Sequence, residues 1–144
     1  MTLSAQSADE LYDQAFSSFE KNDFKTTLKL IDKAIESDKT KASFYILKAE
    51  SHIALKQFQQ GFDTYTIGIE AIEDNSSLYL NRGNLLMSVQ QFEYAIEDFN
   101  QSLIASTNED DRYSSLLNRS AAKYNTRDFQ GAYDDLMIVY WHDS

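Results

Sequence analysis

Two histidines, 23 carboxylates and not one cysteine are the groups from which this chain of 144 residues could build a reactive centre. The absence of cysteine rules out a disulfide framework, a thiolate metal site and a cysteine nucleophile. His52 and His142 stand far apart in sequence and neither has a partner at zinc-binding spacing. His52 falls at a helix-packing position and His142 at the end of the last helical pattern. The run Asn108-Glu109-Asp110-Asp111 lacks the alternating oxygen ligands and the mid-loop glycine of a calcium loop, and reads as a solvated acidic loop. Asp134-Asp135 are neighbours whose side chains diverge on a helix, so they are not an acid–base pair. The four glycines are scattered, and none opens a phosphate-cradling loop. These residues predict no catalytic centre, no metal and no cofactor.

The elements that would position any site are helices. The chain has no proline and 42% hydrophobic residues, enough for a packed core, and helices joined by short polar turns need no proline or glycine. Thirteen basic against 23 acidic residues leave a net charge of −10, which opposes binding to nucleic acid or to an anionic membrane surface. Residues 1–7 lack the basic start and apolar run of a signal peptide, and no apolar stretch reaches the roughly 20 residues of a membrane span. A cytoplasmic protein is the expectation.

Alignment of the chain with itself reveals its organisation. Phe24, Phe58, Phe92 and Phe129 each follow a short polar turn, at spacings of 34, 34 and 37 residues. Seven residues after each comes a large apolar side chain (Ile31, Tyr65, Phe99, Leu136), and three after it a small one (Thr27, Gly61, Ala95, Ala132). Nine residues before each phenylalanine comes another small one: Ala15, Ala49, Gly83 or Ser120. Antiparallel helices cross closely only where small residues meet, and large residues one turn away fill the flanks. The expected helix pairs are 8–20 with 24–37, 42–55 with 58–72, 76–89 with 92–105, and 113–126 with 129–142, with Ser7 and Glu10 as a capping box. The three extra residues before the fourth pair fall in 107–112, with Asp111 as the expected cap.

This pattern resembles the tetratricopeptide repeat, with signature W-x2-L-G-x2-Y, then A-x3-F, then P. The third unit fits best, through Tyr79, Gly83 and Ala95-x3-Phe99, while the closing proline is replaced by Lys39, Glu73 and Thr107. The resemblance implies one domain over 1–144, an all-α right-handed superhelix of four helix-turn-helix repeats (eight helices), at about 8–41, 42–75, 76–109 and 113–144. It also implies a non-enzymatic scaffold that binds a protein or peptide along the concave face, lined by the first helix of each pair.

The groove residues expected there are Tyr12, Asp13, Phe16, Glu50, Leu80, Asn81, Asn84, Met87, Asn118, Tyr124 and Asn125. No lysine or arginine falls on that face, so a neutral-to-basic peptide suits it better than an acidic one. Some members of the family clamp acidic chaperone tails with lysine, arginine and asparagine side chains. Asn84 and Asn118 match the two amide positions of that clamp, but its lysine position is Leu80. The last helix, ending Leu136-Met137-Ile138-Val139-Tyr140-Trp141, is apolar nearly all round. Met137, Val139, Tyr140 and Trp141 are therefore expected to form a second interface, for a homodimer or for a partner.

Overall fold

The computed structural model describes residues 4–142, and among them there are eight α-helices and no strand. The helices are α1 Ala8–Glu20, α2 Phe24–Ser37, α3 Ala42–Ala54, α4 Phe58–Ala71, α5 Ser76–Ser88, α6 Phe92–Ala105, α7 Glu109–Asn125 and α8 Phe129–His142. All but α7 start where the repeat predicts and end within a residue of it. α1 opens with the expected capping box, Ser7 Oγ accepting from Glu10 N at 3.1 Å while Ser7 N donates back to the Glu10 carboxylate.

The start of α7 corrects the sequence reading. Residues 109–112 are helix rather than loop, and the cap is Asn108 rather than Asp111. Asn108 Oδ1 accepts from Asp111 N at 2.7 Å, and its Nδ2 donates to the Asp111 carboxylate at 3.1 Å. Glu109, Asp110 and Asp111 all fall in the first turn, where the helix dipole and the unpaired N–H groups favour negative charge.

Every hairpin turns in the same way without glycine. Asn22, Lys56, Gln90 and Arg127, each two residues before the repeat phenylalanine, take φ of 59–66°. In the first turn Asn22 N donates to Phe19 O and Asp23 N to Ser18 O, both at 2.9 Å, which satisfies carbonyls that the end of α1 would leave open. The same two bonds recur at each of the other three turns. A side chain held at positive φ is strained by about 1 kcal/mol, less for asparagine than for glutamine. Gln90→Gly should therefore raise the free energy of unfolding by roughly 0.5–1 kcal/mol in urea titration, and Asn22→Gly by less. A loss of stability at Gln90 would contradict this account of the turns.

By internal contact the chain forms two compact units, residues 1–72 and 73–144. In the first, α1 packs on α2, α2 on α3 and α3 on α4, around a core of Leu11, Ala15, Ile31, Ala34, Phe44 and Leu47. In the second, α5 packs on α6, α6 on α7 and α7 on α8, with Leu80, Ala95, Phe99 and Ala122 at its centre. The small columns identified in the sequence do lie at the crossings: a Cβ on Gly83 would stand 2.6 Å from the Phe99 ring.

Candidate functional site

Within each unit the first helices of the two hairpins lie side by side, α1 beside α3 and α5 beside α7. Three of the residues expected in the groove, Tyr12, Asn84 and Asn118, make contacts between these helices. In residues 1–72, Tyr12 of α1 stacks on Phe44 of α3 with ring centroids 5.2 Å apart, and Phe16 lies 6.2 Å along the same face, itself exposed. Asp13 is exposed and Glu50 half-buried. Burial pushes the Glu50 carboxyl above its ordinary value. Tyr12 is raised too, first by burial and then by the negative charges of Glu50 and Asp13, so its phenol stays a protonated donor. Burial and Glu50 likewise push up Tyr65.

In residues 73–144 the face is built from amides. Asn118 Nδ2 of α7 donates to Asn84 Oδ1 of α5 at 2.7 Å, linking the two first helices. Asn81 Nδ2 donates to Ser77 O and Asn125 Nδ2 to Ala121 O, each one turn back on its own helix. Tyr124 is open to solvent, its ring edge-on to Phe129 at 5.2 Å. Met87 is half-buried against the core, and Leu80 lies inside it, 8% exposed. Leu80 therefore departs from the expected groove set: Ala95, Phe99 and Ala122 close over it, leaving almost no surface for a ligand.

Four of the five lysines and arginines of the first helices pair with aspartates of second helices, the exception being the exposed Arg112 in the first turn of α7. Arg82 forms a two-pronged pair with Asp98 of α6, both bonds 2.8 Å, and its guanidinium lies 5.5 Å from the Tyr79 ring. Arg119 repeats that pair with Asp135 of α8 and also donates to Asn100 Oδ1 at 2.8 Å, while Lys123 Nζ reaches the same Asp135 at 3.1 Å. Lys48 of α3 pairs with Asp32 of α2 at 2.7 Å. Arg82 and Arg119 each stand 16 residues before their aspartate, a recurrence that would have revealed both pairs in the sequence.

Other candidate chemistry stays dispersed. His52 Nδ1 lies 2.7 Å from Gln57 Oε1, a contact within the α3–α4 turn, and His142 Nε2 lies 3.2 Å from Glu109. Among the described residues no group of three His, Cys, Asp or Glu could hold a metal ion, and no helix is long and apolar enough to cross a membrane. On α8 the expected interface needs correcting. Val139 is buried and Met137 half-buried, whereas Tyr140 and Trp141 are exposed together with Tyr133, Leu136 and Ile138. Val139 stands ten residues after its phenylalanine, as do Ala34, Gly68 and Ser102 in the earlier second helices, all of them buried.

Solved structures share this architecture. PilW, described as a widely conserved type IV pilus biogenesis factor, superposes with a TM-score of 0.80 at 17% identity over 97% of this chain and 64% of its own. PilF of Pseudomonas aeruginosa gives 0.78 at 18% identity, over 94% of this chain and 60% of its own. The first tetratricopeptide domain of Spaghetti (RPAP3), bound to the HSP90 peptide SRMEEVD, gives 0.71 at 15% identity over 87% of this chain and 97% of its own. No protein-family model matches the sequence, and no curated protein does. Eight helices paired at the repeat spacing, small residues at their crossings and these superpositions together identify the fold as that of the tetratricopeptide-repeat proteins.

Proposed function

We propose that the chain is a non-catalytic scaffold that binds a neutral-to-basic peptide or protein segment on the faces formed by its first helices. The observation that carries this reading is the sorting of charge. Lys48, Arg82, Arg119 and Lys123 are paired to aspartates of second helices, while Glu50 and Asp13 stay on the first-helix face beside Tyr12 and Phe16. A carboxylate held half-buried beside aromatic rings would be relieved by a ligand's lysine or arginine. In the other unit, the Asn118–Asn84 bond leaves Asn84 Nδ2 and Asn118 Oδ1 to meet the C=O and N–H of a peptide. That the Spaghetti (RPAP3) domain was solved with a peptide supports binding as the use of this fold. Its acidic ligand does not transfer, because Leu80 stands in the core where a clamp would place lysine.

The peptide SRMEEVD and its charge-reversed counterpart SRMKKVK provide the test, titrated against chain labelled for NMR. The basic peptide should bind more tightly and shift Tyr12, Glu50, Asn84 and Asn118. Glu50→Gln should weaken it by about five-fold, the worth of one partly exposed ion pair. Equal or tighter binding of SRMEEVD would refute the reading. The same variant carries a stability signature. Glu50 titrates higher in the fold than in the unfolded chain, so its ionised form opposes folding. Glu50→Gln should match wild type at low pH and become the more stable protein as pH rises from the unfolded through the folded value. Weaker binding with greater stability is the mark of a binding residue.

A further inference from the structure

The outer surface of α8 is a stacking seam with no helix on it among the described residues. The seven-after-phenylalanine column makes the case. Ile31 is 0% exposed, Tyr65 2% and Phe99 0%, but Leu136 is 46% exposed. Ile31 is closed off by Phe44 and Leu47 of α3, and Phe99 by Ala122 of α7, in each case the first helix of the next hairpin. Leu136 lies in a stripe with Phe129, Tyr133 and Tyr140, all exposed, whereas the corresponding Phe92, Ile96 and Leu103 of α6 are all at least partly covered. Beside the stripe, between the first turn of α7 and the last of α8, a cavity of about 400 Å³ is lined by Tyr113, Leu116 and Ile138 with Glu109, Asp110 and Arg112. The His142–Glu109 contact lies at the same place.

Two observations say what covers it. The start of the repeat array does not match its end: Glu10, Asp13 and Ser17 of α1, which occupy the positions of the buried Phe44, Leu47 and Ser51 of α3, are polar and exposed. A second copy stacking head to tail would bring two carboxylates against an apolar stripe, and burying them there is costly. Tail-to-tail pairing fares no better, because residues 73–144 carry twelve acids against five bases, a balance of −7 on each copy. Exposed Glu109, Asp110 and Asp134 stand on the two helices that make this end. We propose that this surface docks an amphipathic helix of a different protein, with large apolar residues at i and i+3, as Phe44 and Leu47 of α3, flanked by lysine or arginine. The partner takes the place of a ninth helix.

Trp141, the single tryptophan of the chain, sits edge-on to Tyr140 at 5.6 Å and reports on the stripe. The probes are a synthetic Leu/Lys helix with that spacing and a scrambled peptide of equal composition and charge. The spaced helix should bind with a change in Trp141 emission, and the scrambled one at least about ten-fold more weakly. Leu136→Asp and Tyr133→Ser, both at exposed positions that the fold tolerates, should each cost about ten-fold, while Ile104→Asp, an exposed control on α6, should change little. Binding that ignores spacing, or that survives both stripe variants, overturns the proposal. So does sedimentation showing the chain alone to be a dimer that Leu136→Asp dissociates, since a second copy would then be the occupant.

Discussion

Replacing Asp135 with alanine should destabilise the 73–144 unit by about 3–5 kcal/mol, the usual cost of removing one partner from a buried ion pair. Asp135 is 2% exposed and holds two cations at once: both prongs of the Arg119 guanidinium and the Lys123 ammonium. Without it, two positive groups, each mostly buried, face one another with only Asn100 still bonded to Arg119. Asp98→Ala should cost less, because a single cation, Arg82, loses its partner there. Asp32→Ala should cost about 0–1 kcal/mol, since that carboxylate is half-exposed and water replaces Lys48. Urea unfolding followed by circular dichroism gives the ranking directly. Were Asp32→Ala as damaging as Asp135→Ala, burial would not be what makes these pairs matter.

A repeat whose fold is plain from the pattern matches no family model, and the reason is physical. What the crossing of two helices demands is volume: something small at Ala15, Ala49, Gly83 and Ser120, something large at Ile31, Tyr65, Phe99 and Leu136. Many sequences meet that demand, so size survives where identity has fallen to 18% or less against the solved structures described above. The same logic explains where the sequence misled. Asn108 and Asp111 are both good caps, and the choice between them depended on three acids gathering in the first turn of α7. The left-handed residue of each turn was invisible, because Asn22, Lys56, Gln90 and Arg127 share a conformation and no chemistry.

The arrangement of the candidate site was less open to reading from sequence than the fold, for a different reason. A position on a first helix can be assigned to a face by its spacing, but whether it is open depends on which neighbour closes over it. Asn84 and Asn118 bond to each other, and that bond joins different columns of the repeat. Leu80 and Val139 were assigned to surfaces by their helical position, and both are covered by packing within the 73–144 unit. Exposure is a property of pairs of helices, which is why the sequence points to an apolar surface on α8 without showing that Phe129, Tyr133, Leu136 and Tyr140 form it.

The close approach of α5 and α6 should produce an effect whose sign depends on a second residue. Phe99 is wholly buried, and truncating it to alanine should cost about 3–5 kcal/mol through lost burial and the cavity left behind. Its ring also fills the space that a side chain at Gly83 would need, since a Cβ there would lie 2.6 Å from Cε1 and 2.9 Å from Cδ1. Gly83→Ala in the wild type should therefore destabilise: overpacking costs about 1–3 kcal/mol, against a gain of about 1 kcal/mol from the better helix former. In the Phe99→Ala background the obstacle is gone, the new methyl enters the vacated space, and the same substitution should stabilise by up to about 1 kcal/mol. Thermal or urea unfolding of the four proteins in this cycle measures the coupling, expected at roughly 1–3 kcal/mol. Additive effects would mean that the ring is free to move aside and that glycine is kept at position 83 for some reason other than fit. A change of sign would show that the small column is a steric demand set by the large one, so that a larger residue at position 83 is tolerated only when the residue across the crossing shrinks.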